Sequence, residues 1–227
     1  MSTRDTLTGL WREWIRTLLV ILLVVGGLRS AVADWNDVPT GSMKPTILEG
    51  DRIVVNKLAY DLKVPFTTWR VARWGEPQRG DIVILRSPED GRRLVKRVVG
   101  VGGDRIAMRN DRLEVNGRPV RTEVVGTVEP GEAGSRQRLL VMETLGRRRH
   151  AILITPELPA MRTFAPVTVP AGRLFVMGDN RDESGDSRYF GTVAVSAVSG
   201  RVTAVAASVD PERHYLPRWG RFFHGLR

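Results

Sequence analysis

From Trp35 onward the chain sustains no long amphipathic helical period; short runs of apolar and β-branched residues recur between Gly, Pro, Asn and Asp. That pattern restricts this part of the chain to a mainly β fold. Strands are expected over 52–56, 81–86, 93–99, 104–109, 112–115, 138–143, 151–155, 173–177 and 201–206. The pairs Asn110-Asp111 and Asn116-Gly117 read as hairpin corners. Between 120 and 170 the chain is rich in Arg, Pro and Gly and the alternation weakens, which marks an inserted β-subdomain. No internal repeat or low-complexity tract is evident.

The other strong feature is an apolar run at 17–28, bracketed by Arg16 and Arg29. A span of hydrocarbon normally takes about 20 apolar residues. A helix from Trp14 to Val32 reaches roughly 27 Å at about 1.5 Å per residue, and the two arginines can snorkel toward the headgroups. Trp11, Trp14 and Trp35 stand near its two ends, where indoles favour the membrane interface. Arg4, Arg12 and Arg16 precede the apolar run and place the amino end in the cytoplasm. A competing reading takes Ala31-Val32-Ala33 as the small-x-small cleavage site of a secretory signal. Either way the remainder of the chain is exported.

Composition removes several chemistries. Cysteine is absent, so thiol catalysis, disulfide scaffolding and cysteine-based zinc sites are excluded. The three histidines, His150, His214 and His224, offer neither a helical metal pair nor a base for a serine–histidine triad. No cofactor and no metal are expected. The formal net charge is +10, carried almost entirely by Arg. Only Lys44, Lys57, Lys63 and Lys96 are lysines, and among cationic side chains lysine is the one that burial can neutralise near working pH.

Three segments carry more than a β fold requires. In 38–46, Pro39 and Pro45 keep the chain extended or turned around Gly41, Ser42 and Lys44, and Thr40 adds a second hydroxyl; the bland alternative is a linker. In 92–100, a strand places Leu94, Lys96 and Val98 on one face, with Val95, Arg97 and Val99 on the other. Lys96 then projects from an apolar stripe, where its amine is a proton acceptor, or it is a snorkelling edge lysine. The third, 178–191, holds Asp179, Asp182, Glu183, Ser184, Asp186 and Arg188. Its spacing does not match a calcium loop, and an Asp186–Arg188 pair within a turn competes with an ordinary solvated loop.

Together these segments resemble bacterial type I signal peptidase. The likeness rests on Val-Pro-Thr-Gly-Ser-Met-Lys-Pro-Thr at 38–46, Lys-Arg-Val-Val-Gly at 96–100 and Gly-Asp-Asn-Arg-Asp-Glu-Ser-Gly-Asp-Ser-Arg-Tyr-Phe-Gly at 178–191. It covers the anchor and the blocks 38–60, 80–106 and 171–202, with Gly50-Asp51 and Arg79-Gly80-Asp81 as strand starts. The resemblance implies a two-sheet β fold with an inserted β-subdomain and one N-terminal transmembrane helix. It implies a serine endopeptidase in which Ser42 is the nucleophile and Lys96 the general base. Thr40 and the Ser42 amide form the oxyanion hole; Ser184 orients the lysine; Asp186, Arg188, Arg97 and Asp179 support the site. Asp37, Val38, Pro39 and Gly41, with Arg93, Leu94 and Val95, flank the peptide. Thr40 stands where many members carry Ser.

The expected organisation is a cytoplasmic 1–13, an anchor 14–33, a catalytic domain 34–119 and 171–210 interrupted by 120–170, and a basic aromatic tail 211–227. Expected partners are preprotein signal peptides cut after Ala-x-Ala, anionic membrane lipids and the export machinery, without nucleic acid. The lipid contacts are assigned to Phe66, Trp69 and Trp74 and to Trp219, Phe222 and Phe223. The expected location is the outer side of the bacterial cytoplasmic membrane. Rival readings are a pilus- or conjugation-specific relative, a self-cleaving regulator and a non-enzymatic anchored scaffold.

Overall fold

The computed structural model describes residues 14–21, 25–26, 33–64, 67, 69–128 and 136–226. In chain order the strands are β1 (Ala33–Asp37), β2 (Asp51–Asn56), β3 (Asp61–Lys63), β4 (Arg70–Arg73), β5 (Ile82–Arg86) and β6 (Arg93–Val101). Then come β7 (Arg105–Arg109), β8 (Arg112–Val115), β9 (Arg118–Pro119), β10 (Arg121–Val128), β11 (Arg138–Leu145) and β12 (Arg148–Ile154). The last six are β13 (Phe164–Thr168), β14 (Arg173–Met177), β15 (Val193–Ala194), β16 (Val198–Asp210), β17 (Leu216–Pro217) and β18 (His224–Gly225). Each run expected from sequence overlaps one of these strands. The domain is mainly β.

The sheets number four among the described residues, not two. A nine-stranded sheet has the order β1-β2-β16-β5-β6-β14-β15, with β17 and β18 added on β16. Separate sheets are β13-β7-β8-β9, β10-β11-β12 and β3-β4. The division has a local cause: Gly102 and Gly103 form a turn after β6, with Gly103 at φ +91°, so β7 leaves the main sheet and pairs with β13.

The main sheet is buried on both faces, which explains why β5 reads as a continuous apolar run and not as an alternation. Ile82 and Ile84 join Ile53, Val55, Val202 and Val205 in one cluster, which Val38, Met43 and Ile47 cover. Val83 and Leu85 point the other way, into a cluster with Tyr60, Val98, Leu174 and Val176. A third cluster joins Val99, Phe175 and Met177 to Ile106, Met108 and Leu113 of the smaller sheet and to Leu145. Each fully buried aliphatic side chain contributes about 1.5–3 kcal/mol by leaving water. The segment around Ser42 is therefore held in place by its own neighbours, Val38, Met43 and Ile47, lying on the sheet.

The chain after Asp210 folds back on this segment. Arg218 Nη1 donates to the carbonyls of Glu49 (2.8 Å) and Val209 (2.9 Å). Arg221 Nη2 donates to Asp51 Oδ2 (2.6 Å) and to the Thr46 carbonyl (3.0 Å), while Leu226 packs against the first cluster. Among the described residues no helix is long and apolar enough to cross a membrane. Much of the span expected over 14–33, including Ala31 and Val32, lies outside the described residues. The described helical residues carry exposed apolar side chains: Trp14, Ile15, Leu18, Leu19, Val20 and Ile21.

Asp51 is fully buried and Arg221 is its only ion-pair partner among the described residues. Arg221→Ala is expected to lower unfolding stability by about 2 kcal/mol, since it strips the countercharge from a buried carboxylate. A denaturant melt measures this, and an unchanged midpoint would mean that the returning chain does not hold the 46–51 segment.

Candidate active site

Ser42 sits in a one-turn 3-10 helix, Gly41–Met43, closed by the Lys44 amide donating to the Gly41 carbonyl at 3.0 Å. Thr40 precedes it in extended conformation, and Met43 anchors it in the core. Lys96 lies in β6 between Leu94 and Val98, both associated with the cluster on one face, while Val95 packs on the other. Its ammonium-bearing end meets the turn: Lys96 Nζ is 2.8 Å from Ser42 Oγ. Lys96 is only 2% exposed. Burial pushes its pKa down to about 8, Asp186 opposes that shift, Arg188 adds to it, and Asp179 opposes it.

The acids near the amine are each held by another cation. Asp179 receives Arg97 in a two-pronged contact, Nε to Oδ1 at 2.8 Å and Nη2 to Oδ2 at 2.7 Å, and Thr46 Oγ1 donates to Oδ2 at 2.5 Å. Although burial acts against it, the Arg97 guanidinium holds the Asp179 carboxyl below the usual carboxylate range. Asp186 receives Arg188 Nε at 2.8 Å and Nη2 at 2.8 Å, with both side chains fully buried, and also the Gly178 amide at 3.0 Å. Arg188 Nη2 in turn donates to the Arg181 carbonyl. One layer further back, the Glu143 carboxylate, fully buried, lies 2.5 Å from Arg181 Nη2 and 3.2 Å from His150 Nε2. Burial opposes ionisation of Glu143, but Arg181 and His150 outweigh it and hold its pKa at about 2.

Residues that sequence reasoning did not single out fix the backbone of Ser42. The Asn180 amide donates to the Ser42 carbonyl at 3.0 Å, and Asn180 Nδ2 donates to the Gly41 carbonyl at 3.1 Å. Gly178 lies where a Cβ would overlap both Ser184 Oγ and the Ser42 carbonyl. Both residues sit inside the 178–191 motif, but nothing in their type announces the contact. Glu143 and His150 had no signal at all, since they come from the weakly patterned 120–170 stretch.

The other predicted residues are placed as follows. Ser184 Oγ is buried beside Gly178 without a hydrogen-bond partner, and no bond joins it to Lys96. Val38 is buried; its amide donates to Asp51 and its carbonyl accepts from Gly50, so its backbone is already paired on that side. Pro39 and Thr40 are exposed, and Asp37 pairs with Arg52 at 2.8 Å. Arg93 reaches across to Asn36 of β1, Nη1 to Oδ1 at 2.9 Å. Among the described residues no group of three or more His, Asp or Glu is placed to hold a metal ion.

A buried amine against a serine hydroxyl is the arrangement a hydrolase with a lysine base requires. The family model described as signal peptidase, peptidase S26, matches residues 11–207. Signal peptidase I of Pseudomonas aeruginosa is 38% identical over 222 residues, covering 92% of this chain and 77% of that protein. Signal peptidase I of Pseudomonas fluorescens is 37% identical over 224 residues, with the same 92% and 77% coverage. A crystal structure of a signal peptidase I from Enterococcus faecalis is 32% identical and covers 56% of this chain and 97% of its own, with a TM-score of 0.37. With a family match across most of its length and relatives of this identity, the chain belongs to the signal peptidase (S26) family of peptidases.

Proposed function

We propose that this chain is a membrane-anchored serine endopeptidase that removes N-terminal signal peptides from exported preproteins after small-x-small (Ala-x-Ala) sites. Ser42 is the nucleophile and Lys96 the general base. The observation that carries this reading is the 2.8 Å contact between Lys96 Nζ and Ser42 Oγ, with the amine buried. An amine that titrates near 8 is neutral in a useful fraction of molecules at physiological pH.

The steps follow from that contact. Neutral Lys96 takes the hydroxyl proton as Ser42 Oγ attacks the scissile carbonyl, and the carbonyl oxygen becomes an oxyanion. The Ser42 amide and the Thr40 hydroxyl are assigned to that oxygen, each such donor typically contributing about 3 kcal/mol. Lys96 then gives its proton to the leaving amine, releasing the mature protein and leaving an ester on Ser42. Water, deprotonated by the same amine, hydrolyses the ester. Ser184, whose hydroxyl is otherwise unpartnered, is assigned to orient Lys96; Asp186, Arg188, Arg97 and Asp179 keep the surrounding charges fixed.

Substrate recognition is assigned to two open strand edges. Among the described residues the outer edge of β1 has no neighbour in the sheet, and β6 gains β14 only from Arg97 onward, leaving 93–96 open on that side. A preprotein segment added between them, along Asp37, Val38, Pro39 and Gly41 and along Arg93, Leu94 and Val95, presents alternate side chains to the protein, which gives small-x-small selection. The exposed apolar side chains of the described helical residues 14–21 support an anchor over 14–33, with 1–13 cytoplasmic and the catalytic part outside. The exposed Trp69, Trp74, Trp219 and Phe223 support contact with anionic lipid headgroups.

Cleavage of a detergent-solubilised preprotein bearing Ala-x-Ala tests the assignment. Ser42→Ala and Lys96→Ala are each expected to lose about 1,000-fold or more in kcat while remaining folded; turnover retained in either removes the dyad. For the wild type, kcat/KM should climb about tenfold per pH unit below about 8 and level off above it, because the proton must leave Lys96 before it can accept another. A flat profile between pH 6 and 9 contradicts an amine base. Gly178→Ala should cost about 1–3 kcal/mol in stability, since the new methyl must displace Ser42 or Ser184, and should lower kcat more than it raises KM; unimpaired turnover would show that the loop has room to spare.

A further inference from the structure

At the far end of the open edge of β6, Arg93 stands directly opposite Arg86 of β5. By strand alternation both side chains lie on the face that carries Ile84 and Val95. Like charges in register across two strands repel and destabilise the pair. Among the described residues neither arginine meets a carboxylate. Arg86 Nη1 reaches only the Gly91 carbonyl at 3.4 Å, and Arg93 Nη1 reaches the neutral Asn36 amide oxygen at 2.9 Å. Both line a cleft of about 650 Å³ whose other walls include Asn36, Val55, Ile84 and Lys57. Lys57 is balanced there by Asp34 at 3.3 Å, so the cleft as a whole stays cationic.

We propose that the Arg86–Arg93 pair is an acidic-side-chain subsite that selects substrates upstream of the cut. This rests on the peptidase reading above, in which the segment before the scissile bond lies along 93–95. Arg93 precedes Lys96 by three residues, about 10 Å along a strand, and an extended substrate covers that distance in three residues. With the attacked carbonyl beside Ser42 and Lys96, the pair meets the side chains of the fourth to sixth residues before the cut. A glutamate or aspartate there relieves the repulsion between two guanidiniums and can be gripped by both. The Arg93–Asn36 hydrogen bond, which joins the two walls of the groove, keeps Arg93 aimed inward until an acid replaces the amide oxygen.

Peptides that share Ala-x-Ala before the cut and carry Glu or Lys at the fourth, fifth or sixth preceding residue test this, with cleavage by the full chain in detergent as the readout. The expected kcat/KM ratio of Glu over Lys at the responsive position is about fivefold to tenfold at low salt, falling toward one at high salt. Arg86→Glu and Arg93→Glu should each reduce or invert the ratio, which is taken within each variant so that a general loss of activity cancels. Binding of the same peptides to Ser42→Ala, read by fluorescence anisotropy, separates the two ideas. Glu preference in binding without cleavage of any peptide by wild type would sink the peptidase reading and leave the subsite standing. Cleavage of Glu and Lys peptides at equal rates at all three positions, or a Lys preference, overturns the subsite and leaves the peptidase reading intact.

Discussion

Everything in the site depends on keeping one amine out of water without giving it a counter-ion. Lys96 titrates near 8 in place of 10.5, which corresponds to about 3 kcal/mol against the charged form. Between those two values the unfolded chain holds the proton and the folded chain does not, so the lysine's contribution to stability falls as pH drops from 10.5 to 8. Below about 8 the whole penalty is present. The fold carries it because Lys96 is one position in a strand buried on both faces, flanked by Leu94 and Val98.

Burial alone would not suffice with Asp179 and Asp186 nearby, since either carboxylate raises the amine's pKa. Each acid is instead committed elsewhere. Arg97 grips Asp179 with two nitrogens, and Arg188 grips Asp186 in the same way, so the fields that would charge Lys96 are largely cancelled before they reach it. The arginines are suited to this because they stay charged under any burial, whereas burial could neutralise a lysine in either place. The two ion pairs matter less as sources of stability than as a way to hold carboxylates that also receive the Gly178 amide and the Thr46 hydroxyl.

Sequence made the β character and the segments around Ser42 and Lys96 legible for clear reasons. The run at 82–85 is apolar throughout because β5 is covered on both sides, and Lys96 stands out because it interrupts such a strand. Other elements left no trace. β1 is composed of Ala33, Asp34, Trp35, Asn36 and Asp37, with no β-branched residue, and forms because β2 offers it a partner. β13 contains Pro166 at an irregular register opposite β7, which hides it from a period-two reading. The two-sheet expectation fails at the Gly102-Gly103 turn, whose effect on pairing depends on β13, some 60 residues later. The return of the last residues onto 46–51 rests on Arg218 and Arg221 finding particular carbonyls, a match invisible to any pattern.

The weakly patterned stretch also reaches the surroundings of Lys96. Arg181 is buried in the motif that supplies Asn180 and Asp186, and its countercharge, Glu143, comes from β11 of the three-stranded sheet. β12 of that sheet also reaches the motif through the Leu153 amide, which donates to the Asp179 carbonyl at 2.8 Å. The Arg181 carbonyl accepts from Arg188, and Arg188 holds Asp186, so the chain of contacts runs from the small sheet to within one residue's reach of the amine. Removing Glu143 would leave a buried guanidinium uncompensated, and the cheapest relief is for the motif to move outward toward water. Such a movement withdraws Asn180 from the Ser42 carbonyl and admits solvent to Lys96, restoring its proton. The small sheet thus keeps the wall behind Lys96 closed.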